Sequence, residues 1–134
     1  MSRPSDLRYT ATHEWVRVSG DETSGLTATV GITDFAVAQL SDLAFVDLPA
    51  TGKAVKKGAR FGEIESTKAV SDLVAPVSGT VVAVNGDVAE NLALISNSPF
   101  GDGWLVRIRL TDPSELKALL SAQDYEAVTQ VEEH

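Results

Sequence analysis

The chain has 134 residues, the size of one domain able to bury a core without covalent staples. Nineteen acidic residues against eleven basic ones give a net charge of −8, which repels nucleic acid and anionic membrane and either attracts basic protein partners or serves solubility alone. The absence of cysteine excludes a disulfide framework and a cysteine nucleophile, so any thiol chemistry must arrive on a prosthetic group.

Apolar residues make up 43 % but aromatics only 6 %, which predicts a core of Val, Leu, Ile and Ala. Residues 1–8 are polar and read as a flexible N-terminus. His13–Val18 and Leu26–Ile32 read as two strands of a hairpin, joined by the turn-rich stretch Ser19–Gly25. Thr33 or Asp34 can cap a short helix running to about Leu40, with Ala36 and Leu40 on its core side. Ala44–Leu48 is a strand ended by Pro49. Thr80–Val84 is another, and Asn85-Gly86-Asp87 after it is the strongest turn signal in the chain. Val88–Ile95 fits a short strand or a loop, and residues 96–103 read as loop. Trp104–Leu110 alternates as a half-buried strand, with Arg107 and Arg109 on the wet face. Asp112-Pro113-Ser114-Glu115 has the form of a capping box opening a helix, with Leu116, Leu119 and Leu120 as its apolar stripe. A shorter helical piece follows around Asp124–Val128, so residues 112–134 form a helical C-terminal extension. Short strands, frequent turns and late helices predict a mainly β fold of two small packed sheets.

No catalytic constellation is present. His13-Glu14 lacks a second histidine at position 17, which is Arg, and His134 is terminal, so no metal-site spacing exists. The glycines of Gly101-Asp102-Gly103 lack the strand-to-helix context of a phosphate loop. No apolar run is long enough to span a bilayer. Met1–Ser5 carries neither a signal core nor an intact transit peptide, which favours a bacterial cytoplasmic protein over a mitochondrial one.

Glu65-Ser66-Thr67-Lys68-Ala69 remains, a polar turn between the strand-like runs Arg60–Ile64 and Val70–Ala75. A hairpin there holds Lys68 at its tip, in water, on a stiff support. By spacing alone Lys68 is either a functional amine or one more solvated lysine.

Glu65–Ala69, followed by Ser71-Asp72 and Ala75–Gly79, resembles the lipoyl-lysine hairpin of lipoate carriers. The wider pattern resembles the H proteins of the glycine cleavage system. Its pieces are Tyr9-Thr10, His13–Val16, Val30–Asp34, Phe45–Pro49, the hairpin, Val84-Asn85, Pro99-Phe100 and Gly103-Trp104, in the family's order over roughly residues 9–125.

The resemblance implies a lipoyl-domain-like barrel-sandwich hybrid over residues 1–134, a single non-catalytic carrier domain and a monomer. It implies lipoate in amide linkage to Lys68, with Glu14 and Asp72 as carboxylates near the ammonium group of a loaded arm. The implied partners are a pyridoxal-phosphate glycine decarboxylase (P protein), which loads the aminomethyl group, and an aminomethyltransferase (T protein), which passes the one-carbon unit to tetrahydrofolate. Dihydrolipoyl dehydrogenase (L protein) re-forms the ring, and a lipoate-attaching enzyme installs the arm. No nucleic acid or membrane partner is implied.

The chain departs from the family's pattern at Leu92, commonly Pro, Ser96, commonly Asn, and Ser41, commonly Gly, while Phe35 makes part of the expected cleft apolar. Other roles stay open: a lipoyl relay, a 2-oxoacid dehydrogenase carrier, or an unmodified acidic adaptor. Biotin carriage is disfavoured, because biotin hairpins flank their lysine with methionine and the only Met here is Met1.

Overall fold

The computed structural model describes residues 4–21 and 25–133. In chain order the elements are β1 (Arg8–Tyr9), β2 (Glu14–Asp21), β3 (Gly25–Ile32), α1 (Asp34–Leu40), β4 (Leu43–Asp47), β5 (Ala54–Val55), β6 (Arg60–Ser66) and β7 (Val70–Val74). There follow β8 (Gly79–Val84), α2 (Asp87–Glu90), α3 (Ala93–Asn97), β9 (Val106–Leu110), a 3-10 helix (Pro113–Ala118) and α4 (Ala122–Glu133). All strand pairs are antiparallel and form a six-stranded sheet, β1-β2-β3-β9-β8-β5, and a three-stranded sheet, β4-β6-β7. The mainly β, two-sheet expectation holds, and the described strands close no barrel.

Period-2 alternation explains the packing. Val16, Ala28, Val30, Val106 and Ile108 from the large sheet meet Val46, Ile64 and Leu73 from the small one in one buried cluster. Burying each Val, Ile or Leu among them contributes about 1.5–3 kcal/mol. Five of the eight aromatics gather elsewhere, although Phe61 joins this cluster. Tyr9, Trp15 and Tyr125 are fully buried with Leu7, and Phe100 and Trp104 pack against them. Trp15 Nε1–H donates to the Pro99 carbonyl at 2.8 Å. Its indole fills the space over Gly31, where a Cβ would sit 2.7 Å from the ring.

Several expectations need correction. Order begins before residue 9: Leu7 is fully buried and Arg8 pairs with Val16, because the N-terminal segment covers the aromatic cluster. Val88–Ile95 is neither strand nor loop. It lies in the two short helices α2 and α3, which sink Val88 and Ile95 into the core, and α3 continues to Asn97 inside the expected loop.

The expected capping box at Asp112 opens only the 3-10 helix. Asp112 caps Ser114 N–H as anticipated, but Glu115 turns away and accepts from Ser78 N–H at 2.7 Å and Ser78 Oγ at 2.9 Å. The main C-terminal helix is α4, longer than the expected Asp124–Val128 piece. His134 lies outside the described residues.

Candidate functional site

The β6–β7 hairpin carries Lys68. Register runs through Glu65↔Val70, and β6 extends to Ser66, so the connection is Thr67-Lys68-Ala69, two residues shorter than the polar turn the sequence suggested. Ser66 shapes it. Its N–H donates to Ala69 O at 2.8 Å, while its Oγ accepts the N–H groups of Lys68 at 3.2 Å and Ala69 at 3.0 Å. A serine hydroxyl substituting for a backbone acceptor is a common way to tighten a turn. Thr67 N–H donates to Asp42 O at 3.0 Å, fastening the tip to the segment after α1. Lys68 itself is exposed.

Beside the hairpin is a cleft of about 300 Å³. Ala69–Leu73 forms one wall, Thr12–Glu14 and Ile32 the other, and Ala36, Gln39 and Leu40 of α1 border it. β7 is the edge strand of the small sheet, so its free edge faces this space. The fold thus gathers Glu14 and Asp72 at one cleft, next to the lysine turn.

Glu14 is not the surface acid that its strand position allows: only 1 % of it is exposed. Oε1 accepts from Thr10 Oγ1 at 2.9 Å and from the Thr12 hydroxyl, and Oε2 accepts from Val74 N–H at 3.3 Å. Burial pushes its pKa up to about 7, although the bonds from Thr12, Thr10 and Val74 pull the other way. Asp72 is different. It is exposed, and it accepts from Arg60 Nε at 3.1 Å while Arg60 Nη2 sits 3.3 Å from Glu63.

Sequence reading missed the threonines that solvate Glu14, the Ser66 clasp and Arg60. The Ser66 clasp alone had a local signal, a serine two residues before the loop's centre. Phe35, expected to line the cleft, is buried and packs its ring 4.8 Å from that of His13. Leu92 packs half-buried against the main core, and Ser96 is exposed on α3. Ser41 closes α1 with φ 67° and ψ −116°, a left-handed backbone unusual for a residue with a side chain.

The site is thus a lysine clasped at a hairpin tip beside a cleft between the two sheets. A family model described as glycine cleavage H-protein matches residues 7–132. The chain is 52 % identical over 134 residues to the glycine cleavage system H protein of Nitratidesulfovibrio vulgaris (strain DSM 19637 / Miyazaki F), covering 100 % of both chains. It is also 52 % identical to that of Mycobacterium avium (strain 104), across 91 % of this chain and 92 % of the relative. The crystal structure of a glycine cleavage system H protein from Mycobacterium marinum superposes with a TM-score of 0.84 at 44 % identity, covering 93 % of this chain and 97 % of that one. The chain belongs to the glycine cleavage H-protein family, the lipoyl carriers of the glycine cleavage system.

Proposed function

We propose that Lys68 carries lipoate as an amide on Nζ, and that the chain moves the aminomethyl group of glycine between enzymes without itself catalysing a step. The observation that carries this reading is the exposed lysine on a clasped three-residue tip, with the following residues Ala69–Leu73 lining the cleft. The residues suit the group. Acylation needs one accessible primary amine at a fixed position, and a cleft of about 300 Å³ is at the lower end of those that take small organic ligands. When bound, lipoate supplies a dithiolane that opens and re-forms with two electrons, a redox capacity that a chain without cysteine lacks.

The chain's own residues orient and shield. Ser66 Oγ and Asp42 O hold the tip, so the attachment point stays fixed beside the cleft. Apolar Ile32, Leu40 and Ile64 keep water from the inner cleft. Glu14 faces a cationic amine there with an acid that ionises readily when a positive charge arrives. Asp72 assists from the rim, where Arg60 already holds its carboxylate.

On this reading the partners are glycine decarboxylase, aminomethyltransferase, dihydrolipoyl dehydrogenase and a lipoate-attaching enzyme, each meeting a monomeric carrier formed from residues 1–134. A bacterial cytoplasm suits it, since the relatives named above are bacterial.

Intact-mass analysis of protein from its native cell tests the assignment. A lipoyl-sized increment on Lys68 and its loss in Lys68→Arg are expected, with glycine cleavage abolished and the fold intact. Persistent turnover in that variant overturns it.

A further inference from the structure

We propose that α4 latches the cleft through His13, making His13 a positioning residue for the arm. The proposal rests on reading Lys68 as the bearer of that arm. His13 lines the cleft beside Glu14 and has φ 75°, so its ring is held by tertiary contacts rather than by relaxed strand geometry.

Those contacts form a chain. His13 Nε2 lies 2.6 Å from Glu132 Oε2 near the end of α4. His13 Nδ1 lies 2.6 Å from Tyr125 Oη, two turns earlier on the same face of α4, and Tyr125 Oη lies 2.7 Å from Thr33 Oγ1. Thr33 Oγ1 in turn accepts the N–H of Ala36, capping α1, which borders the same cleft. The His13 ring is also packed between Phe35 at 4.8 Å and Tyr125 at 5.6 Å. One helix therefore fixes two parts of the cleft wall without lining the cleft itself.

The chain closes in both protonation states of the imidazole. Neutral His13 donates from Nε2 to Glu132 and accepts the Tyr125 hydroxyl at Nδ1, with Thr33 then donating to Tyr125. Protonated His13 donates from both nitrogens, and Tyr125 turns its hydroxyl proton to Thr33. Glu132 fixes the tautomer in the first case and gains a charge-assisted bond in the second.

The test uses full-length lipoylated protein carrying the aminomethyl group. The readout is the rate at which the arm's remaining thiol reacts with iodoacetamide, compared with free dihydrolipoamide. Tyr125→Phe and Glu132→Ala change no residue that lines the cleft. Tyr125→Phe should raise that rate roughly 5- to 30-fold, the factor expected for losing one buried hydrogen bond. Glu132→Ala, whose partner bond is part-exposed, should raise it by a smaller factor of roughly 2- to 5-fold. Glu132→Gln keeps an acceptor for Nε2–H and should restore the slow rate. Attachment of lipoate to Lys68 should proceed equally in all variants, since the hairpin is untouched. If Tyr125→Phe does not fold, Glu132→Ala decides, because Glu132 lies on the exposed side of α4. Equal protection in wild type and both disrupting variants overturns the latch alone. A wild-type thiol as reactive as free dihydrolipoamide overturns the cleft reading, and the latch with it.

Discussion

Glu14 Oε2 accepts the N–H of Val74, joining β2 of the large sheet to the free edge of β7 in the small one. The carboxylate occupies the place a further strand would take, and the two threonine hydroxyls satisfy its other oxygen. An acid so placed is both a clasp between sheets and a charge kept from water.

That burial has a pH signature. With a folded pKa of about 7 against an ordinary 4.5, the folded chain holds a proton that the unfolded chain loses between these values. The stabilisation tied to that proton is present in full below pH 4.5 and lost as pH rises through about 7, for a difference of about 3 kcal/mol. Glu14→Gln removes this titration. Denaturant melts at pH 5 and pH 8 should show wild type losing more stability than the variant.

Loading reverses the preference, because a cationic amine favours ionised Glu14. The lifetime of the aminomethyl-loaded arm should therefore lengthen as pH rises, with a midpoint below the value of about 7 that Glu14 has without a cationic partner. Release of formaldehyde and ammonia measures it. Glu14→Gln should flatten the profile, whereas Asp72→Asn should have the smaller effect because Arg60 already neutralises Asp72.

Ser66→Ala removes the acceptor shared by the Lys68 and Ala69 N–H groups. It should cost about 0.5–2 kcal/mol, as loss of a capping hydroxyl does. More tellingly, lipoate attachment should slow while the protein stays folded. The rate of mass gain with the attaching enzyme checks this.

Ser41→Gly should stabilise the fold. At φ 67° a side chain is strained, and its N–H bond to Val37 O survives the change. Relief of about 1 kcal/mol, after the extra freedom glycine has when unfolded, raises Tm by about 3–6 °C. Scanning calorimetry of both proteins decides.

Docking to the enzymes should weaken with salt. Two cross-strand rows on the small sheet, Phe45-Glu65-Val70 and Asp47-Glu63-Asp72, put four carboxylates beside two exposed apolar residues below the lysine tip. Screening at 1 M, where the Debye length is roughly 3 Å, should raise the carrier's KM more than it lowers kcat. A KM flat with salt would leave the acidity to solubility.

Local chemistry was legible, and long-range chemistry was not. The β2–β3 hairpin, the Thr33 cap, the wet-facing Arg107 and Arg109 and the lysine tip all follow from neighbours within a few residues. Nothing local marked Glu14 for burial, because its partner Val74 is 60 residues away. The helix expected after Asp112 failed likewise, since Glu115 found Ser78 across the fold. Alternation could not reveal α2 and α3, which have no side-chain cap to announce them.

The two sheets also differ in how far their strands must travel to meet. The small sheet needs only residues 43–74, whereas the large one needs Thr27 to find Arg109, and Tyr9 to bridge Leu120. Closure of long loops slows folding, so the lysine hairpin should form early and the Tyr9–Leu120 seam late. During synthesis the hairpin leaves the ribosome before β9 exists. What a modifying enzyme could grip at that stage is the hairpin before β9 and the Tyr9–Leu120 seam have completed the large sheet.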